Sequence, residues 1–140
     1  MVTIKRNCLD AETFRSLTES AGWGKPPVEQ VETALAHSFV TVCAYENEQA
    51  VGMARMLGDG ALSYFVKDVV VRPDCQQSGI GRQLMEELMN CIREQSHPGW
   101  KVSVELMSAK GKEPFYEKLG FEPRPSEHGG CGMFLFLEIV

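Results

Sequence analysis

A short loop with two closely spaced glycines has the residue types best suited to binding chemistry. The apolar run of Val69, Val70 and Val71 precedes it, Pro73 breaks that strand, and an amphipathic helix is predicted from Gly79 to Glu94. The first turn of a helix has unpaired N–H groups and a partial positive charge, which suit an anion. Glycines lack a Cβ, so the backbone can lie close against a bulky diphosphate.

The spacing of this loop separates three kinds of phosphate site. The Walker pattern is absent, and a dinucleotide fingerprint would need a third glycine where the chain has Leu84. What remains is a Q-x-x-G-x-G pattern followed by a cation, formed by Gln76, Gln77, Ser78, Gly79, Ile80, Gly81 and Arg82. Two glycines also suit a purely structural turn, so on residue types alone phosphate binding and a plain turn both stay open.

Other reactive side chains carry weaker signals. The five cysteines are an odd number without a C-x-x-C pair, so neither a zinc site nor a disulfide framework is predicted. Cys131 follows two glycines in a stretch typical of a mobile loop, which does not favour a covalent nucleophile. His37 and His97 fall at predicted helix ends, where surface or capping roles are expected. No metal is implied.

The elements that position the loop are predicted in the order β-α-α-β-β-β-α-β-α-β-β. Strands are predicted at residues 3–6, 39–45, 51–57, 62–72, 101–107, from 121 and at 133–139, by β-branched and aromatic content or by alternation. Helices are predicted after the N-cap Asp10, from Val28 to near His37, and at residues 79–94 and 113–119. With no linker or repeat, the chain is predicted to be one α/β domain over residues 1–140.

Two segments carry a family resemblance. The loop matches the acetyl-CoA-binding motif of the GNAT superfamily of N-acetyltransferases at Val71, Pro73, Gln76, Gly79, Ile80 and Gly81. The later run from Phe115 to Phe121, F-Y-E-K-L-G-F, resembles the family's second signature. The resemblance covers nearly the whole chain and implies a central, mostly antiparallel sheet with a splayed strand pair, flanked by helices. Two departures are Gln77, where glycine is common, and Ala109, where many relatives have asparagine.

The resemblance also implies how acetyl-CoA binds. Backbone N–H groups from Gln77 to Arg82 are expected to hold the pyrophosphate, so the change to Gln77 should matter little. The backbone of Val69, Val70 and Val71 is expected to pair with the pantetheine arm as an added strand. Strand-edge amides need partners, and an amide-rich arm supplies them.

The resemblance assigns the general acid of the acetyl transfer and leaves the general base open. Tyr116 occupies the position of the general acid, because a phenol keeps its proton at neutral pH and can donate it to the departing thiolate. The attacking amine must lose its ammonium proton, and burial can raise a carboxylate toward the useful pKa range. Glu105 is ranked first as the base, with Asp68 and a water chain as alternatives. Trp23 and Arg55 are candidates for the lining of the acceptor pocket.

Composition limits the classes of molecule that are expected to bind the protein. The formal net charge is −5, from 14 Lys and Arg against 19 Asp and Glu, and no basic run stands out. A nucleic-acid partner is therefore not expected, and an amine-bearing acceptor is favoured. No apolar run is long enough for a membrane span and no signal sequence is evident, so a cytoplasmic location is expected. The apolar run from Met133 to Val140 permits a homodimer.

Together these features predict a function. The expected reaction moves an acetyl group from acetyl-CoA to a primary amine of a small molecule or peptide, by direct attack in a ternary complex. Two alternatives stay open: a non-catalytic acetyl-CoA-binding sensor or docking module, and an acyl-CoA-dependent toxin acting on charged tRNA. The intact Tyr116 favours catalysis over the sensor, and the acidic balance argues against the toxin.

Overall fold

A computed structural model describes residues 1–139, which group into two compact units. The first unit is Met1–Leu106, and the second begins at Met107. The organisation of residues 1–140 as one domain stays a prediction.

The first unit contains five strands and three helices. The strands are β1 (Val2–Arg6), β2 (Val40–Glu46), β3 (Gln49–Gly58), β4 (Ser63–Val71) and β5 (Ser103–Leu106). The helices are α1 (Ala11–Ser20), α2 (Val28–Ala36) and α3 (Ile80–Gln95), with a single 3-10 turn at Pro73–Cys75 before α3. The five strands and three helices were all predicted, with bounds that differ by a few residues at most, whereas the 3-10 turn was not predicted.

Local sequence explains where these elements begin and end. Asp10 caps α1, since its carboxylate accepts a hydrogen bond from the Thr13 N–H at 2.8 Å. The hairpin between β2 and β3 turns at Asn47 and Glu48, both with positive φ (51° and 64°), as a tight hairpin turn requires. His37 ends α2, where its Nδ1 lies 2.8 Å from the Thr33 carbonyl, in keeping with the predicted capping role.

The strands form one mixed sheet in the order β1-β2-β3-β4-β5. The first three pairings are antiparallel, and β4 pairs with β5 in parallel across the α3 crossover. Helices α1 and α2 cover one face, where Phe14, Leu17 and Val31 pack in a core with Cys43 and Met53. The opposite face packs against α3, close enough that a Cβ on Gly52 would lie 3.2 Å from Leu84. The predicted α/β fold class is confirmed.

The second unit contains one short helix, α4 (Glu113–Lys118). The two strands predicted after it, from Phe121 and at residues 133–139, are wrong for the part of the chain that the structure describes. There the segment after Leu106 forms no strand, and only an isolated bridge joins Ser126 to Gly129. Pro123 and Pro125 follow Phe121, and proline has no N–H to offer a sheet.

The apolar segment near the chain end explains the second error. Between residues 133 and 139 the large apolar side chains are 64–91% exposed. Its β-prone composition predicts a strand, but a strand also needs a neighbour to pair with. The homodimer suggested by this run stays a prediction, which sedimentation of the purified chain can test. Within residues 1–139 no helix is long and apolar enough to cross a membrane.

Candidate active site

The glycine loop lies between the end of β4 and the start of α3. Gly79 is the N-cap of α3 with a φ of 87°, and without a side chain it cannot cap the helix. Among the described residues, no side chain accepts a hydrogen bond from the N–H groups of Ile80, Gly81 or Arg82. A 16-residue helix therefore begins with open N–H donors and a partial positive charge. This arrangement suits an anion at the predicted position.

Side chains of the loop hold its shape. Gln76 donates from Nε2 to the Val71 carbonyl at 3.0 Å, and Ser78 donates to the Cys75 carbonyl at 2.6 Å. Arg82 pairs with Glu86 at 2.8 Å on the exposed surface of the helix. We infer that Gln76 and Ser78 serve the loop by closing it, while the backbone supplies the open donors.

Gln77 adopts the left-handed conformation, with a φ of 65°. Glycine reaches this region freely, while other L-residues pay about 1–2 kcal/mol for it. This explains physically why a glycine suits the position. The exposed Gln77 side chain makes no hydrogen bond within residues 1–139, so it does not help to hold the loop in shape.

The strand before the loop has an unpaired edge. β5 pairs with β4 only from Ser63 to Val66, whereas β4 continues to Val71. The Arg72 N–H donates to the Val51 carbonyl on β3 at 2.8 Å, so by alternation the N–H and C=O of Val71 are directed away from β3. The same alternation directs Val69 to that edge. Beyond Val66, β4 therefore has no pairing partner on this side, next to the glycine loop, where the splayed strand pair was predicted.

A half-buried ion pair lies at the start of this edge. Arg55 on β3 donates from Nε to Asp68 Oδ2 at 2.5 Å, and the two side chains are only 14% and 20% exposed. Asp68 itself has a φ of 55°. The sequence predicts Arg55 as a pocket residue and Asp68 as an alternative base, but no local pattern indicates that the two side chains pair. Trp23, the other pocket candidate, is 50% exposed and has no hydrogen bond or ion pair to Arg55.

Glu105 lies on β5, in register with Phe65 of β4. Its side chain is exposed and makes no hydrogen bond or ion pair within residues 1–139. The strand geometry places Asp68 three residues further along β4 than Phe65, or about 10 Å. The structure therefore does not bring the two candidate bases together.

Tyr116 belongs to α4 of the second unit. Its ring is 9% exposed and makes edge-to-face contacts with Phe115 and Phe121, at centroid distances of 4.9 and 6.1 Å. Burial raises the pKa of the Tyr116 phenol above its ordinary value. The hydroxyl therefore stays protonated at neutral pH, as a proton donor must.

The remaining candidates have ordinary surface positions. Cys131 is exposed, and His97 packs against Trp100 with ring centroids 4.6 Å apart. Within the described part of the chain, no group of three His, Cys, Asp or Glu side chains is arranged to hold a metal ion.

Comparison with solved structures gives the class of protein. A probable acetyltransferase from methicillin-resistant Staphylococcus aureus superposes with a TM-score of 0.85 at 28% identity, covering 98% of this chain and 100% of that one. The mixed sheet with a separated strand pair before a glycine loop is thus the fold of an acetyltransferase.

Sequence comparison gives the family. Residues 37–123 match the acetyltransferase (GNAT) domain. The uncharacterized N-acetyltransferase ycf52 of Porphyra purpurea is 32% identical over 88% of this chain and 70% of its own length. The chloroplastic serotonin N-acetyltransferase 2 of Oryza sativa is 31% identical over 90% of this chain and 63% of its own. The chain belongs to the GNAT acetyltransferase family.

Proposed function

We propose that the protein transfers the acetyl group of acetyl-CoA to a primary amine of a small molecule or peptide, by direct attack in a ternary complex. One observation supports this most directly: an unpaired strand edge leads straight into a helix start with open N–H donors. The amides of an acyl-CoA can pair with the strand edge, and its diphosphate can accept hydrogen bonds from the N–H donors at the helix start. Two adjacent sites thus match the two chemical parts of one co-substrate.

The residues have these proposed roles. Backbone groups of Val69 and Val71 pair with the pantetheine arm, and N–H groups from Gln77 to Arg82 hold the pyrophosphate. The neutral amine attacks the thioester carbonyl carbon, a C–N bond forms, and the C–S bond then breaks. Tyr116 donates its proton to the departing sulfur, the adduct nitrogen loses one proton to solvent, and Tyr116 regains a proton from solvent. Overall, an ammonium and acetyl-CoA give an N-acetyl amine, free CoA and one proton.

The acceptor is not fixed by these residues. The serotonin N-acetyltransferase of Oryza sativa acts on an arylalkyl amine by its name, so arylalkyl amines belong first in a panel. Polyamines, amino acids, aminoglycosides and peptide N-termini complete it. The acetylated product should be identified by its mass.

Tyr116→Phe tests the proposed acid. We expect kcat to fall about 100-fold, the usual scale of a lost general acid, with the KM for acetyl-CoA within about twofold. Because burial raises the pKa of Tyr116 above its ordinary value near 10, the phenol stays protonated throughout the neutral range. The wild type should therefore show no loss of kcat from this group below about pH 10.

Tyr45→Phe is the matched control, since it removes a hydroxyl from a tyrosine of β2 that we place outside the site. Its kcat should stay within about twofold of the wild type. Equal kcat values for Tyr116→Phe and the wild type would remove Tyr116 from the mechanism and leave the proposed acetyltransferase activity standing. Tight binding of acetyl-CoA without turnover of any amine would instead favour the sensor alternative.

A further inference from the structure

The sheet contains one irregularity beside the open edge of β4. Met53 pairs with Val70 and Arg55 pairs with Lys67, so two β4 residues, Asp68 and Val69, lie opposite Ala54 alone. This is a β-bulge, and bulges commonly re-aim a side chain next to a functional site. The extra residue is Asp68, whose positive φ of 55° aspartate tolerates better than most side chains do.

Arg55 fixes the carboxylate at this bulge. Its Nε donates to Asp68 Oδ2 at 2.5 Å, while its Nη1 lies 3.4 Å from the Ser38 hydroxyl. Ser38 in turn donates to the Ala34 carbonyl in α2 at 2.8 Å. The guanidinium is therefore held from two sides, and a half-buried Arg–carboxylate contact has a defined geometry.

The Arg55–Asp68 ion pair uses only one of the two carboxylate oxygens of Asp68. Asp68 Oδ1 accepts no hydrogen bond from residues 1–139, although an ionised carboxylate can accept several. On β4, the next residue after Asp68 begins the open edge that we assign to the pantetheine arm. Lys67 and Phe65 continue the sheet on the other side of Asp68, exposed and half-buried respectively. A free carboxylate oxygen thus lies between the co-substrate edge and an accessible stretch of sheet.

We propose that Arg55 is a positioning residue, which holds Asp68 at the bulge so that its free oxygen binds the ammonium of the acceptor and takes its proton. This inference rests on the proposed function and names Asp68 as the base. One proton passes from the ammonium to the Asp68 carboxylate. The amine lone pair that this frees then forms the C–N bond.

Two observations favour Asp68 over Glu105 as this base. Asp68 is 20% exposed and oriented by a cation, whereas Glu105 is exposed and without a polar partner in the described residues. A base must also be held within hydrogen-bond reach of its proton. Asp68 adjoins the co-substrate edge in sequence, while Glu105 lies about 10 Å further along the strands.

The same ion pair has a purely structural explanation, in which Asp68 only stabilises the bulge. Asp68→Asn and Asp68→Gly separate the two roles. Asparagine and glycine both accept the left-handed conformation. Asparagine also keeps an oxygen that can accept from Arg55, so a structural role would largely survive in Asp68→Asn, whereas Asp68→Gly removes the partner of Arg55. For a base, we expect kcat/KM for the amine to fall about 100-fold in both variants. In Asp68→Asn the KM for acetyl-CoA and the melting temperature should stay close to the wild-type values, whereas Asp68→Gly should lower the melting temperature because it leaves Arg55 unpaired.

Arg55 variants test the positioning role. Arg55→Met should lower kcat about 10-fold, Arg55→Lys should recover part of that loss, and the double variant Arg55→Met/Asp68→Asn should be no slower than Asp68→Asn alone. Such non-additivity is expected when one residue acts through the other. Arg6→Met is the control: it breaks the exposed Arg6 pairs with Glu87 and Glu94, and its kcat should stay within about twofold.

The outcomes are distinct. If the wild type acetylates an amine and kcat/KM is unchanged in Asp68→Asn and Asp68→Gly, the inference is overturned and the proposed function stands. Losses that multiply in the double variant overturn the positioning role of Arg55. No turnover of any amine by the wild type contradicts the proposed function itself, and the inference falls with it.

Discussion

The proposed co-substrate region and the proposed acceptor region of the first unit differ in the groups that they offer for binding. From Val69 to Arg82, the groups offered for binding are backbone N–H and C=O groups at a strand edge and a helix start. Around Arg55 and Asp68, they are side chains that the register of β3 and β4 brings together. A site made of backbone groups tolerates a change of side chain but not a change of backbone conformation. A site made of side chains is lost when the side chains themselves are replaced.

The larger of the two effects expected at the glycine loop would break the backbone half of this comparison. Gly79 has a φ of 87° with nothing within 4 Å of an added Cβ, so Gly79→Val changes conformation without a clash. Forcing valine into the left-handed region costs about 2 kcal/mol. If the loop relieves this strain by leaving its binding shape, affinity for acetyl-CoA should fall about 30-fold, measured by isothermal titration calorimetry.

Gly99→Val is the control for that experiment. Gly99 has a φ of 89° and the same free space around an added Cβ, but lies between α3 and β5 outside the loop. It should lower the melting temperature without changing the affinity for acetyl-CoA. Equal loss of affinity in both variants would show that strain acts through general stability and not through the loop.

A smaller effect would sharpen the comparison at Gln77. Gln77→Gly removes a side chain but relieves its positive φ of 65°. The free energy of unfolding should rise by about 0.5–1 kcal/mol, because the strain relieved exceeds the added entropy of the unfolded chain. Affinity for acetyl-CoA should stay within about twofold. A loss of affinity beyond tenfold would show that the side chain itself binds.

The difference between the regions also explains what the sequence could predict. Gly79 and Gly81, which follow an apolar strand, predict a loop and a helix start, because those features depend on residues close in sequence. The Arg55–Asp68 pair depends on a register shift of one residue between two strands, which no local pattern records. Ser38 was missed for the same reason, since nothing in its surroundings indicates a contact with Arg55.

The chain end marks another limit. The β-prone residues 133–139 predict a strand, yet pairing depends on a neighbour that composition does not specify. Tyr116 is intermediate: its burial follows from the aromatic and aliphatic neighbours in its own segment, while its proposed role as the acid rests only on the resemblance to the family signature. Acid and base assignments therefore need kinetics, whereas the co-substrate contacts can be observed directly.

Amide hydrogen exchange with and without acetyl-CoA tests the central claim that backbone groups form the co-substrate site. The account predicts slower exchange on binding in peptides that cover Val69–Val71 and residues 77–82, and unchanged exchange in β1. Protection confined to other segments, or binding without protection of either stretch, would contradict it.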